Sequence, residues 1–342
     1  MTWPPLLLTD ESPSLRLLVL KKLLKIDEEE TKELEKERLD DPLVTELIKL
    51  QNNDGSWGKG TLTSNTSTSK IQLTSQALTR LGYIGFNSDF DPVRKGAEYL
   101  FKQQKDDGSW PLGSYSTDSE GRENYNTMSL QTSIPLRGLA ECQYGTSKKA
   151  EKAYEWLLNQ RLDDGAWPTG IAHGNYGYVA GYRRLPHSRW GCRSNTVSAL
   201  ICLSLHPHRC KSDESRKALD LLLGTESSER QYLGHDVART MGYELSGGFL
   251  TYYARNDVAQ TIKLCSRIGA STSDSRVAEL LTLIHSFMGQ YGLWEYLPEP
   301  RASRWVTYDL SLSLSELDQE TDWISLQPRT PFQTYPKKRR RY

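Results

Sequence analysis

Few residues of this 342-residue chain have types and spacings that could do chemistry by themselves. His206-Pro-His208-Arg-Cys210 is the one compact group with the character of metal ligands, but it follows a helical segment and reads as a loop with incidental histidines. Cys192 lies near His187 and opens a helical segment, which favours the thiolate, yet no third group stands ready to orient such a pair. Asp106-Asp107 and Asp163-Asp164 are paired carboxylates inside a recurring turn. Asp89-Phe-Asp91 precedes Pro92 at a helix start, where capping is the expected role. No phosphate-cradling glycine-rich loop, His-Glu-x-x-His or Gly-x-Ser-x-Gly occurs. Any site must therefore be assembled by the fold, and neither a metal nor a cofactor is expected.

The elements available to assemble it announce themselves by repetition. Gln51-Asn-Asn-Asp-Gly-Ser-Trp57, Gln104-Lys-Asp-Asp-Gly-Ser-Trp110 and Gln160-Arg-Leu-Asp-Asp-Gly-Ala-Trp167 are copies of one phrase, and Gln290-Tyr-Gly-Leu-Trp294 is a worn fourth. The first three tryptophans are almost evenly spaced. The interval to Trp294 is about twice as long, as if one unit had lost its signature. Each copy follows an amphipathic helical segment: 42–51, 92–104, 147–160 and 275–289, with 212–223 as the fifth of the set. Each of these is followed by a segment of small and apolar residues, at 68–81, 127–141, 192–205, 252–268 and 303–317. The alternation predicts an outer ring of amphipathic helices around an inner, mostly buried ring, with no sheet. Asp-Gly turns the chain, the tryptophan anchors the core edge, and the glutamine serves freed backbone groups, so the phrase is scaffold. Upstream, Ser12 and Pro13 cap and open a helix over 12–25, and 28–37 reads as a solvated acidic helix.

Composition narrows the classes. Lys+Arg and Asp+Glu both number 43, which gives no reason to expect a nucleic acid or an anionic surface as partner. No apolar run approaches the about 18 residues needed to span a bilayer, and the first residues lack the pattern of a signal peptide. Five cysteines without a CxxC pair suggest reduced thiols and a cytoplasmic setting. The basic run Lys337–Arg341 reads as a solvated end.

The repeated phrase resembles the Gln-Trp repeat of squalene and oxidosqualene cyclases, and the related repeat of protein prenyltransferase β subunits. The resemblance spans residues 40–317. It implies an all-α chain folded as an α/α toroid of five to six helix pairs, with inner and outer rings and a site in the central cavity at the N-terminal ends of the inner helices. The expected organisation is a helical extension over 1–40, the toroid over 41–320, and a basic tail over 321–342, disordered at its end. On that logic one mouth of the cavity is lined by Lys70, Arg189, Trp190, Arg193, Tyr252, Tyr253, Arg255, Asn256, Arg304 and Trp305. Arginines at helix N-termini suit an anionic or polar head on an apolar body. The alternative is that these arginines close the fold by pairing with Glu123, Asp257 and Asp309. Long inserts over 111–125 and 168–190 are expected to hang over the same mouth.

The chemistries that the resemblance implies each lack a group. Class II cyclases protonate an alkene from Asp-x-Asp-Asp-Thr-Ala. The local match is Ala254-Arg-Asn-Asp257-Val-Ala259, which puts Asn256 at the proton-donating position. Prenyltransferases hold zinc with Asp-x-Cys and a late histidine, and neither is present. The acidic triplet of class I synthases is missing too. Two readings remain: a divergent enzyme or binder of an isoprenoid or lipid-like molecule, with Asp257 or Asp309 as acid or base, or a non-catalytic toroid that holds a peptide or protein.

Overall fold

The computed structural model describes residues 3–58, 69–110, 116–117, 123–124, 128–172, 175–224, 231–244 and 252–317. The tail beyond 317, and with it Lys337–Arg341, lies outside the described residues, as does most of the 111–125 insert.

The inner ring consists of α5 (Lys70–Tyr83), α7 (Ser129–Glu141), α9 (Arg193–Leu205), α12 (Val258–Ile268) and α14 (Ser303–Glu316). Each packs on the next in that order. The outer ring is α4 (Pro42–Lys49), α6 (Asp91–Gln103), α8 (Lys148–Asn159), α10 (Asp213–Leu223) and α13 (Ser275–Ser286). The outer helices bury one stripe: Val93, Gly96, Ala97 and Leu100 in α6. The inner helices are buried nearly all round, which explains their small residues. Ser147 and Ser212 cap α8 and α10 through their hydroxyls, and Asp41 caps α4 ahead of Pro42. Asp91 lies inside α6, where it pairs with Arg94 and Lys95 instead of capping it. The chain is an α/α toroid. Strands among the described residues are confined to two-residue pairs, such as Gln231–Tyr232 alongside Asn256–Asp257.

The repeated phrase works as a staple. Trp57, Trp110, Trp167 and Trp294 each donate the indole N–H to a carbonyl ten residues upstream: Leu47, Leu100, Leu157 and Ile284, at 2.7–2.8 Å. Their backbone N–H groups are taken by threonines of the inner ring: Thr74, Thr132, Thr196 and Thr307. Gln51 and Gln104 each donate to two carbonyls, one in their own turn and one at the start of the next outer helix (Pro92, Lys149). Gly108 sits at φ +95°, so close to α8 that a β-carbon there would lie 2.5 Å from the Lys152 carbonyl. One turn thus ties its own outer helix, the following inner helix and the next outer helix together.

Where the phrase is missing, the chain does something else. After α10 a short helix, α11 (His235–Met241), enters the ring between α14 and α5, and every one of its residues is buried. Gly234 and Gly242 bracket it with positive φ. A β-carbon on Gly234 would meet Val306, and one on Gly242 would meet Arg80, each closer than 3 Å. The sequence expectation of one helix over 252–268 is corrected accordingly. Regular helix begins at Val258, because 252–255 form a turn and Asn256–Asp257 run extended beside the strand that leads into α11. At the N-terminus, α1 (Trp3–Leu8) and the π-type turn Val19–Leu23 that follows α2 (Pro13–Leu18) pack on α14.

Candidate functional site

The end of the toroid at which chemistry was expected is filled by α11. Arg137, in the middle of α7, gives both terminal nitrogens to Asp236 of α11 at 2.7 Å each, and one of them also reaches the Tyr253 hydroxyl at 3.1 Å. Tyr252 donates to the same carboxylate at 2.9 Å. Arg80 of α5 donates to the Thr240 carbonyl, and Arg239 lies over the Tyr252 ring. Burial would raise the Asp236 carboxyl, but the Arg137 guanidinium outweighs it and holds the group down at about 2.

Asp257 caps the same plug. Its carboxylate accepts from the Gly234 and Asp236 backbone N–H groups at 2.8 Å and also caps α12. Burial pushes its pKa up to about 6; the neighbouring Asp236 charge adds to that, and the backbone N–H bonds pull the other way. Asn256, at the class II acid position, is held in the extended pair with Gln231. Arg255 reaches His235 Nδ1 at 2.8 Å, within a cluster that includes Glu244 and Tyr296. Arg193 is buried and lines, with Tyr252, Tyr253, Arg255, Asn256 and Asp257, a void of only about 30 Å³. Such a space holds a water or two, not a substrate.

The remaining sequence candidates are scattered. Lys70 pairs with Asp54 in the first repeat turn. Arg189 is exposed and lies over Trp190, which also faces Tyr176 of the 168–190 insert. Arg304 pairs with Asp10 of the N-terminal arm. Trp305 is buried against Tyr83, with ring centroids 6.2 Å apart. The fold-closing carboxylates are also not the expected ones. Asp236, not Asp257, takes the buried arginine, and Asp309 takes a lysine. The His206 loop is structural: the buried His206 ring and Arg209 share the Glu151 carboxylate. Cys192 is buried, with Arg183 3.7 Å from its sulfur.

The opposite end is open. Here the inner helices present their C-termini around a cavity of about 740 Å³. Asp309 is on its floor. One carboxylate oxygen accepts from Lys263 Nζ at 2.7 Å and from the Tyr83 hydroxyl at 2.9 Å. Lys263 also lies over the Tyr83 ring. Burial, together with the Asp309 charge, raises the Tyr83 hydroxyl well above its ordinary range. Glu141 ends α7 on the same wall, 4.0 Å from Arg137. Leu17 and Leu18 of the N-terminal arm, Phe86 and Leu312 supply apolar lining. The sequence reading named Asp309 but placed it at the other mouth, and it missed Tyr83, Arg137, Glu141 and Lys263. A signal was present: a charge in the middle of a helix of mostly small and apolar residues, as with Arg137 or Lys263, must face a partner inside the ring.

Comparisons with known proteins fit this architecture. Residues 18–185 match the family model of the squalene-hopene cyclase C-terminal domain. The chain is 29% identical over 126 residues to a squalene–hopene cyclase of Zymomonas mobilis, covering 36% of this chain and 18% of that protein. It is 26% identical over 128 residues to lanosterol synthase erg7A of Aspergillus fumigatus, covering 37% and 16%. The match thus spans under a fifth of the length of these curated relatives. Among solved structures, a protein from Actinoplanes aligns at 14% identity with a TM-score of 0.46, over 82% of this chain and 74% of that one. The type II terpene cyclase MstE from Scytonema, in complex with geranylgeranyl dihydroxybenzoate, aligns at 13% and 0.35, over 80% and 95%. The chain is an α/α toroid whose residues 18–185 are squalene cyclase-like in sequence. Tyr83, Arg137 and Glu141 lie inside the matched segment, whereas α11, Asp257, Lys263 and Asp309 lie beyond it. No helix among the described residues is long and apolar enough to cross a membrane.

Proposed function

We propose that this toroid binds an isoprenoid or other lipid-like molecule with a polar head, in the cavity at the C-terminal ends of its inner helices. The observation that carries the reading is the cavity of about 740 Å³ with Asp309, Lys263 and Tyr83 joined on its floor. Its size suits a small amphiphile. The lipid-like class is inferred from the squalene–hopene cyclase and lanosterol synthase relatives. Residues 1–40 are proposed as an arm whose leucines complete the cavity wall, and 41–320 as the toroid. The cytoplasmic setting remains part of the proposal, on the argument from unpaired cysteines.

If the bound molecule is also converted, Asp309 is the carboxylate placed to move a proton, with Lys263 and Tyr83 fixing its orientation. Asp257 is committed to three backbone N–H groups, and Asn256 cannot supply an acidic proton. Those two observations favour a binder over an enzyme of the class II type.

The test is native mass spectrometry of the protein purified from its own source, beside a Ser266→Trp variant whose indole would occupy the cavity. A lipid-sized mass retained by the first and lost from a normally folded second supports the reading. A parent protein that retains nothing, and whose melting temperature does not move with farnesol or geranylgeraniol, would sink it.

A further inference from the structure

We infer that the head group accepted by the C-terminal-end cavity is a primary ammonium rather than the anion that arginines at the other mouth would suggest. This inference rests on the cavity being a ligand site. Of the five carboxylates that line it, two, Asp309 and Glu141, each leave one oxygen buried with no hydrogen-bond donor: Oδ2 of Asp309 and Oε1 of Glu141. Their side chains are 4% and 9% exposed, so bulk water is a poor substitute for a partner. Buried acceptors left without donors are costly, and a ligand that brings donors relieves that cost.

Charge points the same way. On the floor these two carboxylates face one cation, Lys263, which is already bonded to Asp309. Arg137 lies below the floor and is held by Asp236, with Glu141 beyond hydrogen-bond reach at 4.0 Å. The inner helices α5, α7, α12 and α14 all turn their C-terminal ends to this cavity, and helix C-termini carry partial negative charge. Away from the floor, Lys21 and Arg38 are both engaged with Glu35, and Lys22 and Arg267 line the cavity together with Glu28 and Glu316, so the floor is where carboxylate outnumbers cation. An ammonium has three donors and no acceptor, which matches a floor short of donors. The leucines and Phe86 further out would take its apolar body.

The experiment is titration calorimetry of the intact chain with three probes of equal length: decylamine, decanol and decanoate. The amine should bind at least about tenfold more tightly than the other two, and Glu141→Gln should remove most of that preference. If decanol or decanoate binds as well as the amine, the head-group inference fails and the cavity reading stands. If no probe binds, both fail. An amine preference that survives in folded Glu141→Gln and Asp309→Asn overturns the role of these carboxylates. Should either variant not fold, the ranking on the parent chain decides.

Discussion

Asp236 receives both terminal nitrogens of Arg137 at 2.7 Å, although the two residues are 99 positions apart in sequence. The pair joins an inner helix to the short helix that fills one end of the ring. Both side chains are almost wholly buried, so neither charge has water to fall back on. Arg137→Met should destabilise the chain by about 3–5 kcal/mol, because it leaves the Asp236 carboxylate uncompensated. Arg137→Met with Asp236→Leu should recover most of that loss. Urea denaturation of the three chains checks this, and equal losses in the single and double variants would mean that the pair is not what holds α11 in place.

Stability should peak in mildly acid solution. The Asp257 carboxyl is raised to about 6, so the native state holds its proton more tightly than the unfolded chain does. That contribution is full below the unfolded value of about 4 and is lost as pH rises through about 6. Asp236 is held down at about 2, so its contribution is present above about 4 and is lost as pH falls toward 2. Unfolding free energy measured from pH 3 to 8 should therefore be greatest near pH 4 and fall between about 4 and 6. Asp257→Asn should flatten the fall between about pH 4 and 6 and leave the acid limb in place.

The staple makes a sharp contrast between two glycines. Gly108 is left-handed and abuts the Lys152 carbonyl, so Gly108→Ala should cost more than about 1 kcal/mol. At Gly145 an added β-carbon meets nothing closer than 3.5 Å, and Gly145→Ala should be within about 0.5 kcal/mol of the parent. Thermal unfolding of the two variants separates them, and comparable losses would count against the glycine's role in docking the turn on α8.

Thiol reactivity should be confined to one position. Burial raises the Cys202 and Cys265 thiols to about 12 and Cys142 higher still, while Cys210 is only half-buried. Iodoacetamide applied to the native chain, followed by peptide mapping, should label Cys210 first by a wide margin. Early labelling of Cys192 would show instead that the Arg183 contact activates it.

Much of the scaffold was legible in the sequence, and the reason is local. Ser147, Ser212, the Asp-Gly turns and the tryptophans act within about one helical turn or on the adjacent helix, and such signals survive in a linear reading. The plug was not legible. His235–Met241 is too short to show a period, and its His, Asp, Arg and Thr read as surface until Arg137 and Arg80 arrive from distant helices. The same holds for the open end. Asp309 was singled out as an acid near a helix start, but only folding shows that it faces Lys263 and Tyr83 at the other mouth. Which end of a closed ring is open depends on what the connecting segments do, and the segment that decides it here is the one without the repeated phrase.

The most direct test of where this toroid works is photo-crosslinking with a diazirine-bearing long-chain amine, followed by peptide mapping. Labels are expected on the segments that wall the C-terminal-end cavity, Tyr83–Asn87, Lys263–Arg267 and Tyr308–Glu316, and they should be lost in Ser266→Trp. Labels concentrated on Tyr252–Asp257 and His235 would contradict this placement and return the site to the N-terminal mouth.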